Sequence, residues 1–580
     1  MSFESKMTRT RLPLLTMDNL SVVMAERLIA TKNQKTVIPL LWQGYLELSL
    51  PQSRTAAYYI PQDMPQGTTV VVMNIPDGQE DTLSFWKKSG WLDLAEKEHF
   101  CLYALEPGDG GWGSPASEAP YLQNALDAVK LGQYLLLAFS AHLVGYGPIG
   151  TELHKLAMAD PLHTAAAVFF DASDVDSDTL KAFREKEYVV PDTLSDHVLH
   201  VPYRVVPLPV WIASKKIDSD TADTLSYWKA AAHVDEGQED SCFGTVFRQS
   251  QDSEYTPEGK ILQIAVQENS YNYTSPETTK LAYRFLMQYY RYGMGPRSNQ
   301  ITQKVDYTAL GLERLAFTDK NGIDREALVY VPEKYRNSNK KLPAVFSFHG
   351  ASQSMRNMME NGLWYHIADE NGLVIVYPES TLQPMPAELH QGLPMAYRPL
   401  WMLFSQADAP KDVDFVDELI DRVVKDFPVD INRLYSTGHS MGCMITNYLG
   451  SSSVGHRFAA ISGTSGILSL KGNGADKVPA FFTVGQFELW PYDLSIDSGT
   501  SDMVNFWLER NALNPGTCKI LDKGRWHNLI WSNEEEIPWL RYTVIADKHH
   551  VHTYEENCVF WDEWFSHWHF SGDGNRHYTA

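Results

Sequence analysis

The sequence predicts an α/β protein made of two tandem domains, each with a mostly parallel sheet flanked by helices. Apolar strand-like runs alternate with amphipathic helical stretches, as in parallel sheets that are covered on both faces. This pattern occurs twice along 580 residues, a length that suits two large domains. Matching segments keep a nearly constant offset, which predicts one shared fold: 57–61, 69–73, 94–103, 226–228 and 277–290 correspond to 328–332, 344–348, 367–376, 505–507 and 555–569.

The boundary between the two halves is predicted within residues 292–299, where glycine, proline and polar residues cluster. The first domain is then expected to span residues 15–298 and the second residues 299–580. The second domain is expected to begin in a strand region at 307–317.

Composition and charge exclude several classes of partner. Acidic residues outnumber basic ones by 72 to 49, giving a formal net charge of −23 at pH 7, and no basic stripe stands out along the chain. Nucleic acid and anionic membranes are therefore not expected as partners. The N-terminal segment lacks the apolar core of a signal peptide, no apolar run of about eighteen residues follows, and the five cysteines are scattered singly. We expect a soluble cytoplasmic protein with free thiols, and the sequence leaves homo-oligomers open.

A candidate nucleophile lies in the second half, in the pentapeptide Gly-His-Ser-Met-Gly at 438–442. A strand-like run precedes it and an apolar helical stretch follows, as in the strand-turn-helix nucleophile elbow. Small residues are needed on both sides because the turn is tight. The pattern predicts that Ser440 projects its hydroxyl above the sheet, with the N–H of Met441 facing the developing oxyanion.

Acyl transfer by serine needs a base that takes the hydroxyl proton and an acid that orients this base. The strand-like run 479–485 precedes Glu488, which is the predicted acid, with Asp493 as the alternative. The base is expected after the last strand, 541–546, where three histidines follow. His552 is selected because it lies closest to the start of the next helix, and His550 is the alternative.

A metal site is the competing interpretation of the histidines at 549–552. It requires further ligands at matching spacing, and no downstream histidine or carboxylate pattern supplies them. The sequence therefore favours a general base, and we expect neither a metal nor a cofactor.

A second oxyanion donor is expected in the loop after the first long strand of the second half, at 348–353. The His349-Gly350 step allows the backbone to approach the substrate, so that the N–H of Ala351 pairs with that of Met441. The first half lacks this machinery. The segment 144–150, opposite the elbow, keeps glycines but has no nucleophile, and 267–274, opposite the histidine loop, has no histidine. The first half is thus predicted to be a degenerate, non-catalytic copy.

Residues of the second half resemble the polyhydroxybutyrate depolymerase and feruloyl esterase group of α/β-hydrolases, over roughly residues 325–570. The resemblance implies an α/β-hydrolase fold, carboxylic ester substrates, oxyanion donation by Ala351 and Met441, and a triad of Ser440, Glu488 and His552. Two departures stand out: the acid is Glu where the family commonly has Asp, and Ala351 replaces a frequent half-cystine. The matching stretches are 348–353, 371–378, 412–415, 438–442 and His552 with 561–565.

These observations favour a serine ester hydrolase that acts on a soluble ester: feruloyl or cinnamoyl, acetyl, or a hydroxyalkanoate oligomer. Trp401 and Trp490 are the aromatic residues closest to the site in sequence and are predicted to contact the substrate. A serine peptidase or an acyltransferase on the same triad is the alternative within the enzyme class. A non-catalytic binding or scaffold protein is the alternative of another class, and the intact serine and histidine oppose it.

Overall fold

The computed structural model describes residues 10–12, 44–61, 69–130, 141–192, 194–293, 295–384 and 397–580. These residues form two large sheets, one in each half of the chain. The predicted start of the first domain, residue 15, lies outside the described residues. The five cysteines are free thiols.

The first sheet has eleven strands. Its central strands are parallel, while both edges add antiparallel strands. In spatial order they are Thr10–Leu12, Gly44–Leu50, Arg54–Ile60, Cys101–Leu105, Val70–Asn74, Ala141–Tyr146, Thr164–Phe170, Val210–Ser214, Gln263–Glu268, Gly244–Gln249 and Val234–Ser241.

The second sheet has ten strands, again parallel in the centre and antiparallel at both edges. In spatial order they are Glu313–Thr318, Asp324–Tyr330, Val374–Pro378, Leu342–Phe348, Val429–Gly438, Ala460–Thr464, Ala480–Phe487, Pro538–His549, Trp526–Ser532 and Lys519–Lys523.

Apart from the short strand Thr10–Leu12, the two sheets have the same order and the same strand directions. Central strands such as Val70–Asn74 and Leu342–Phe348 are buried along their whole length, because helices cover both faces. The predicted α/β class with two tandem, mostly parallel sheets is confirmed.

Helices pack on both sheets. Those of the first half are Thr82–Ser89, Trp91–Glu98, Pro115–Lys130, Gly147–Ala159, Ser177–Glu185, Ser219–Ala231 and Pro276–Leu286. Those of the second half are Tyr307–Leu310, Met355–Gly362, Trp364–Asn371, Ala409–Asp426, Met441–Ser451, Gly499–Arg510 and Tyr554–Asp562. Four two-stranded ribbons complete the described structure: Glu187–Pro191 with Val198–Pro202, Tyr289–Tyr292 with Gln300–Gln303, Thr381–Pro384 with Tyr397–Leu400, and Trp568–Phe570 with Arg576–Tyr578.

The junction between the halves differs from the prediction in detail. The described residues of the predicted linker at 292–299 lie between the strands Tyr289–Tyr292 and Gln300–Gln303 of a ribbon, and Tyr292 ends the first of these strands. The predicted strand region at 307–317 begins instead with a helical turn, because Asp306 caps it by accepting from two backbone N–H groups. The strand starts only at Glu313.

Candidate active site

The strand Val429–Gly438 and the helix Met441–Ser451 meet at a sharp turn that holds Ser440. Ser440 has φ 56° and ψ −118°, a strained conformation for a residue with a side chain. Two backbone hydrogen bonds within the same half hold the turn: His439 N–H donates to Phe348 O (3.2 Å), and Ser440 N–H donates to Thr464 O (2.9 Å). The turn has the geometry of a nucleophile elbow.

The two glycines of the elbow are required by close packing. A Cβ built on Gly442 would lie 2.0 Å from Phe348 O, and one on Gly438 would lie 2.4 Å from the Gly442 carbonyl carbon. Such distances exclude any side chain unless the backbone moves. The helix can therefore start directly against the central strand, with Ser440 at its apex.

His550 lies between Ser440 and a carboxylate. Its Nε2 is 2.9 Å from Ser440 Oγ, and its Nδ1 is 2.6 Å from Glu488 Oε2. Glu488 follows the strand Ala480–Phe487, as the sequence predicts for an acid. With Nδ1–H donating to the carboxylate, Nε2 is free to accept the Ser440 proton, which is the arrangement that a base needs.

The structure corrects the choice of His552. Its Nε2 is 2.7 Å from Asn557 Oδ1, and its side chain is buried against the start of the helix Tyr554–Asp562. The reason is strand length: the last strand runs past the predicted end at Ala546 to His549, so His550 is the first residue beyond the sheet edge. The alternative acid, Asp493, instead accepts from Ser495 N–H in its own turn.

The side chain of Glu488 is fully buried. Burial alone would raise the pKa of its carboxyl group, but His550, Lys548 and the Ser465 hydroxyl together outweigh burial and lower the pKa to about 2. Glu488 also accepts from Gly485 N–H at 3.2 Å. A carboxylate held in this state can orient the imidazole and stabilise its protonated form.

Lys548 is a buried cation that the sequence analysis did not single out. Its Nζ donates to Ser465 Oγ (3.0 Å) and Thr464 Oγ1 (3.2 Å), and it lies 3.5 Å from Glu556 Oε1 and 4.0 Å from Glu488 Oε1. All three charged side chains are fully buried. One ammonium thus balances two carboxylates behind His550. The one sequence signal for Lys548 is its position directly before the histidines at 549–552.

The loop after the strand Leu342–Phe348 approaches the elbow closely. A Cβ built on Gly350 would lie 3.2 Å from Ser440 Cβ. The N–H groups of Ala351 and Met441 have no hydrogen-bond partner among the residues that the structure describes. Both predicted oxyanion donors therefore remain free to donate beside Ser440.

His349 and Trp401 are buried residues that support this loop. His349 is buried, with Nε2 accepting from Ser380 N–H (3.1 Å) and Nδ1 lying 2.8 Å from Gly350 O. Trp401 is fully buried and donates from Nε1 to His349 O (2.9 Å). The prediction that Trp401 contacts substrate is therefore wrong, because its ring belongs to the core under the loop.

Trp490 lies beside His550. Its ring centroid is 5.4 Å from that of His550 in an edge-on arrangement, and its side chain is only partly buried. Its Nε1 has no hydrogen-bond partner in the described part of the chain. Of the two tryptophans, Trp490 is the one placed where a substrate could reach it.

The equivalent turn of the first half has no nucleophile. Gly147 follows the strand Ala141–Tyr146 with φ 61°, and a Cβ built on it would meet nothing within 4 Å. It faces a cavity of about 440 Å³, lined by Pro76, Asp77, Tyr146, Gly147, Pro148, Asp171, Asp174, Ser214, Lys215, Lys216, Asp218 and Tyr273. These lining residues include no histidine or cysteine, and their one serine, Ser214, ends the strand Val210–Ser214 and does not lie in the turn.

Neither a metal centre nor a membrane span is found in the described residues. No group of three or more histidine, cysteine or acidic side chains in them is arranged to hold a metal ion. Within the same ranges, no helix combines the length and the apolar character that crossing a bilayer requires.

Residues 320–562 match the Esterase family model, described as "Putative esterase". A bifunctional acetylxylan esterase/xylanase from Neocallimastix patriciarum is 29% identical over 147 residues, which are 25% of this chain and 19% of that protein. This chain thus matches about a fifth of the length of its relative. The match to the Esterase family model lies entirely within the second half of the chain.

Solved structures with similar folds align with less than half of the chain. An acetyl xylan esterase from Aspergillus awamori aligns with 44% of this chain and 99% of its own, at 14% identity and a TM-score of 0.34. A CE1 ferulic acid esterase from Anaeromyces mucronatus aligns with 41% of this chain and 84% of its own, at 12% identity and a TM-score of 0.27.

Proposed function

We propose that the second half is a serine carboxylic ester hydrolase that works through an acyl-enzyme on Ser440. The observation that carries this proposal is the hydrogen-bonded series from Glu488 through His550 to Ser440, with both bonds of His550 at 2.9 Å or less. The match of residues 320–562 to the Esterase family supports the same reaction class.

In the first step, Ser440 Oγ attacks the ester carbonyl carbon while its proton passes to His550 Nε2. The N–H groups of Ala351 and Met441 stabilise the oxyanion, and Glu488 stabilises the imidazolium. Collapse of the intermediate breaks the ester C–O bond, and the leaving alcohol takes the proton from His550. A water molecule then repeats these steps on the acyl-enzyme and releases the acid.

We further propose that residues 15–298 form a non-catalytic domain and that residues 299–580 form the catalytic one. The shared strand order supports a common origin for the two halves. Gly147 at the position of the nucleophile supports the loss of catalysis in the first.

The proposed substrates are soluble esters with a feruloyl or cinnamoyl, acetyl or hydroxyalkanoate acyl group. Trp490, partly exposed beside His550, supports a contact with an aryl acyl group. The curated relative is named an acetylxylan esterase/xylanase, so acetyl esters form the second class to test. Turnover of feruloyl, acetyl and 3-hydroxybutyryl esters, measured side by side, ranks the three classes.

Covalent labelling tests the mechanism directly. We expect a fluorophosphonate probe to add one phosphonyl group to the full-length protein, located on Ser440 by peptide mass spectrometry. The Ser440→Ala variant should remain unlabelled. Labelling of that variant at the wild-type rate, or at another residue, would refute the assignment. Hydrolysis of p-nitrophenyl acetate but not of a peptide p-nitroanilide separates an esterase from a peptidase.

A further inference from the structure

We infer that the first half of the chain positions the catalytic loops of the second, and that Tyr292 is a positioning residue that holds the oxyanion loop through Gln353. The inference rests on the proposed function. Three contacts from the first half each reach one of the loops that carry an oxyanion donor, the acid and the base: those of Tyr292 and of residues 295–298 come from one ribbon, and that of Asp192 comes from another.

The contact with the oxyanion loop is a buried relay. Gln353 Oε1 accepts from Gly350 N–H at 2.9 Å, and Gln353 Nε2 donates to the hydroxyl of Tyr292. Tyr292 and Gln353 are 4% and 3% exposed, so water does not compete for these groups. The Gly350 N–H fixes Oε1 as the acceptor end of the Gln353 amide. The Nε2 end therefore faces Tyr292 and donates to its hydroxyl.

Gly350 directly precedes Ala351, whose N–H is a proposed oxyanion donor. A rotation of the Gln353 side chain releases the Gly350 N–H and changes the direction in which the next peptide points. Oxyanion stabilisation depends on donors placed about 2.7–3.1 Å from the position that the oxyanion will occupy. Tyr292 therefore acts on catalysis indirectly, through the oxyanion loop, to which it does not belong.

The histidine loop is held by a second contact, that of residues 295–298. His549 N–H donates to Ser298 Oγ (2.9 Å), and Arg297 Nη1 pairs with Asp547 Oδ2 (2.8 Å). A Cβ built on Gly295 would lie 2.5 Å from His549 Cγ, so this backbone rests directly on the imidazole next to His550. The strand end that carries the base is thus fixed from outside its own sheet.

The acid loop is held by a third contact, from the ribbon formed by Glu187–Pro191 and Val198–Pro202. Asp192, in its turn, accepts from Gln486 Nε2 (3.0 Å) and from the Tyr492 hydroxyl (3.1 Å), on either side of Glu488. Gln486 Oε1 in turn accepts from Asp547 N–H (3.2 Å). The acid and histidine loops are therefore linked to each other as well as to the first half.

The elbow, in contrast, is braced by Phe348 and Thr464 of its own half. The nucleophile is thus an internal feature of the second sheet, whereas the three loops that serve it also depend on the first. This division gives the non-catalytic half a physical role, since it restricts the loops to the geometry in which the three sets of groups meet.

The Tyr292→Phe variant tests the relay in the full-length chain. It removes one hydroxyl, and we expect kcat for p-nitrophenyl acetate to fall roughly tenfold with KM within twofold, since only the placement of an oxyanion donor changes. Tyr289→Phe is the matched control, because Tyr289 lies in the same strand and its hydroxyl contacts Ile261 O inside the first half. This control should keep the wild-type kcat.

A double-mutant cycle separates positioning from general destabilisation. If Tyr292 acts through Gln353, Tyr292→Phe should have no further effect on kcat in a Gln353→Met background. Additive losses in the cycle, or a wild-type kcat for Tyr292→Phe, would overturn the inference. Fluorophosphonate labelling of the wild-type protein keeps the two proposals apart: a wild-type protein that neither labels nor hydrolyses esters refutes the proposed function itself.

Asp192→Asn tests the contact with the acid loop. An amide supplies one acceptor oxygen where the carboxylate supplies two, so we expect kcat to fall by roughly threefold to tenfold. Asp176→Asn is the control, because Asp176 caps a helix of the first half by accepting from Thr179 N–H. Equal effects of the two substitutions would refute a role for Asp192 in positioning Glu488.

Discussion

The two halves of this protein share one strand order yet differ at the turn that holds Ser440 in the second half and Gly147 in the first. In both halves the turn after the central strand holds a residue with a positive φ, 61° at Gly147 and 56° at Ser440. In both, flanking glycines pack backbone on backbone: a Cβ on Gly150 would lie 2.6 Å from Gly145, and one on Gly438 would lie 2.4 Å from Gly442. Close packing thus constrains both turns, whereas only the second of the two described turns holds a serine at its apex.

The charged side chains around the two turns also differ. The second half places the His550 imidazole within hydrogen-bond distance of its turn serine and a fully buried Lys548 between two carboxylates. The first half has an open cavity in which Lys215 pairs with Asp171 at 3.0 Å, with the lysine side chain 63% exposed. Fold and chemistry are therefore separable in this chain, as function depends on side chains placed on loops beyond the strands.

The largest expected effect comes from exchanging the two turn residues. Ser440→Gly should lower kcat/KM for ester hydrolysis by a factor on the order of 10⁴ or more, since the nucleophile is lost. Adding Gly147→Ser should restore nothing, because the described lining of that cavity offers no imidazole to take the proton. Steady-state hydrolysis and fluorophosphonate labelling measure both variants. Activity regained by the double variant would show that the first half is a latent active site.

The next largest effect is expected from substitutions of His550 and His552, which lie in the same loop. His550→Gln should lower kcat by about 10⁴-fold, because no other described group is placed to accept the Ser440 proton. His552→Gln should keep kcat within tenfold of wild type and lower the free energy of unfolding by about 1–3 kcal/mol, since it disturbs a buried hydrogen bond with Asn557. Kinetics and thermal unfolding of both variants decide the assignment. A larger kinetic loss in His552→Gln would restore the choice made from sequence.

Much of this site could be predicted from sequence because its elements are local. The elbow is a contiguous pattern with its own turn chemistry, and Glu488 follows a recognisable strand. The choice between His550 and His552 depends on a strand end that the sequence does not show: the strand extends to His549, and a shift of two residues decides which imidazole reaches Ser440. The prediction for Trp401 fails for a different reason, since proximity in sequence does not distinguish a core ring from an exposed one.

The remaining contributors could not be predicted because their partners lie far away in the chain. Lys548 can balance charge only in the folded protein, where Glu488 and Glu556 lie beside it. Tyr292 contacts Gln353 across the junction between the halves, and no sequence motif that contains one of the two residues predicts a contact with the other. Long-range contacts of this kind depend on tertiary packing, which local patterns do not encode.

Lys548→Met sharpens the comparison of charges. It leaves two carboxylates buried without their ammonium, and we expect the free energy of unfolding to fall by roughly 3–5 kcal/mol at neutral pH. Lys215→Met, at the exposed pair of the first half, should change it by less than about 1 kcal/mol. Urea unfolding of the two variants measures the difference. Equal effects would mean that the buried ammonium is not what balances Glu488 and Glu556.

The same variant has a predicted pH signature. The folded pKa of Glu488, about 2, lies below its ordinary value of 4.5, so its ionised form stabilises the native state above pH 4.5, and this contribution is lost as pH falls toward 2. Without Lys548 the pKa of Glu488 should rise, and the loss of stability in acid should begin at higher pH than in the wild type.

The smallest effect tests whether the non-catalytic half has its own acid sensitivity. His154 is fully buried, stacks on Phe169, accepts from Trp228 Nε1 (2.8 Å) and lies with Nδ1 3.0 Å from Ala172 O. Burial lowers its pKa from 6.5 to about 3, so between these values the unfolded chain binds a proton that the folded one does not. Stability supplied by neutral His154 is therefore present above pH 6.5 and declines as pH falls, by up to about 1.4 kcal/mol per pH unit.

His154→Gln should remove this dependence while kcat at neutral pH stays within twofold of wild type, because the residue lies outside the proposed positioning contacts. The free energy of unfolding, measured in urea from pH 7 to pH 4, should then decline less steeply than in the wild type. His456→Gln is the control, as His456 is exposed with Nδ1 near Ser453 O. An unchanged pH slope in His154→Gln would place the acid sensitivity elsewhere, and a fall in kcat would mean that the core of the first half reaches the catalytic loops more directly than through Tyr292, Asp192 and residues 295–298.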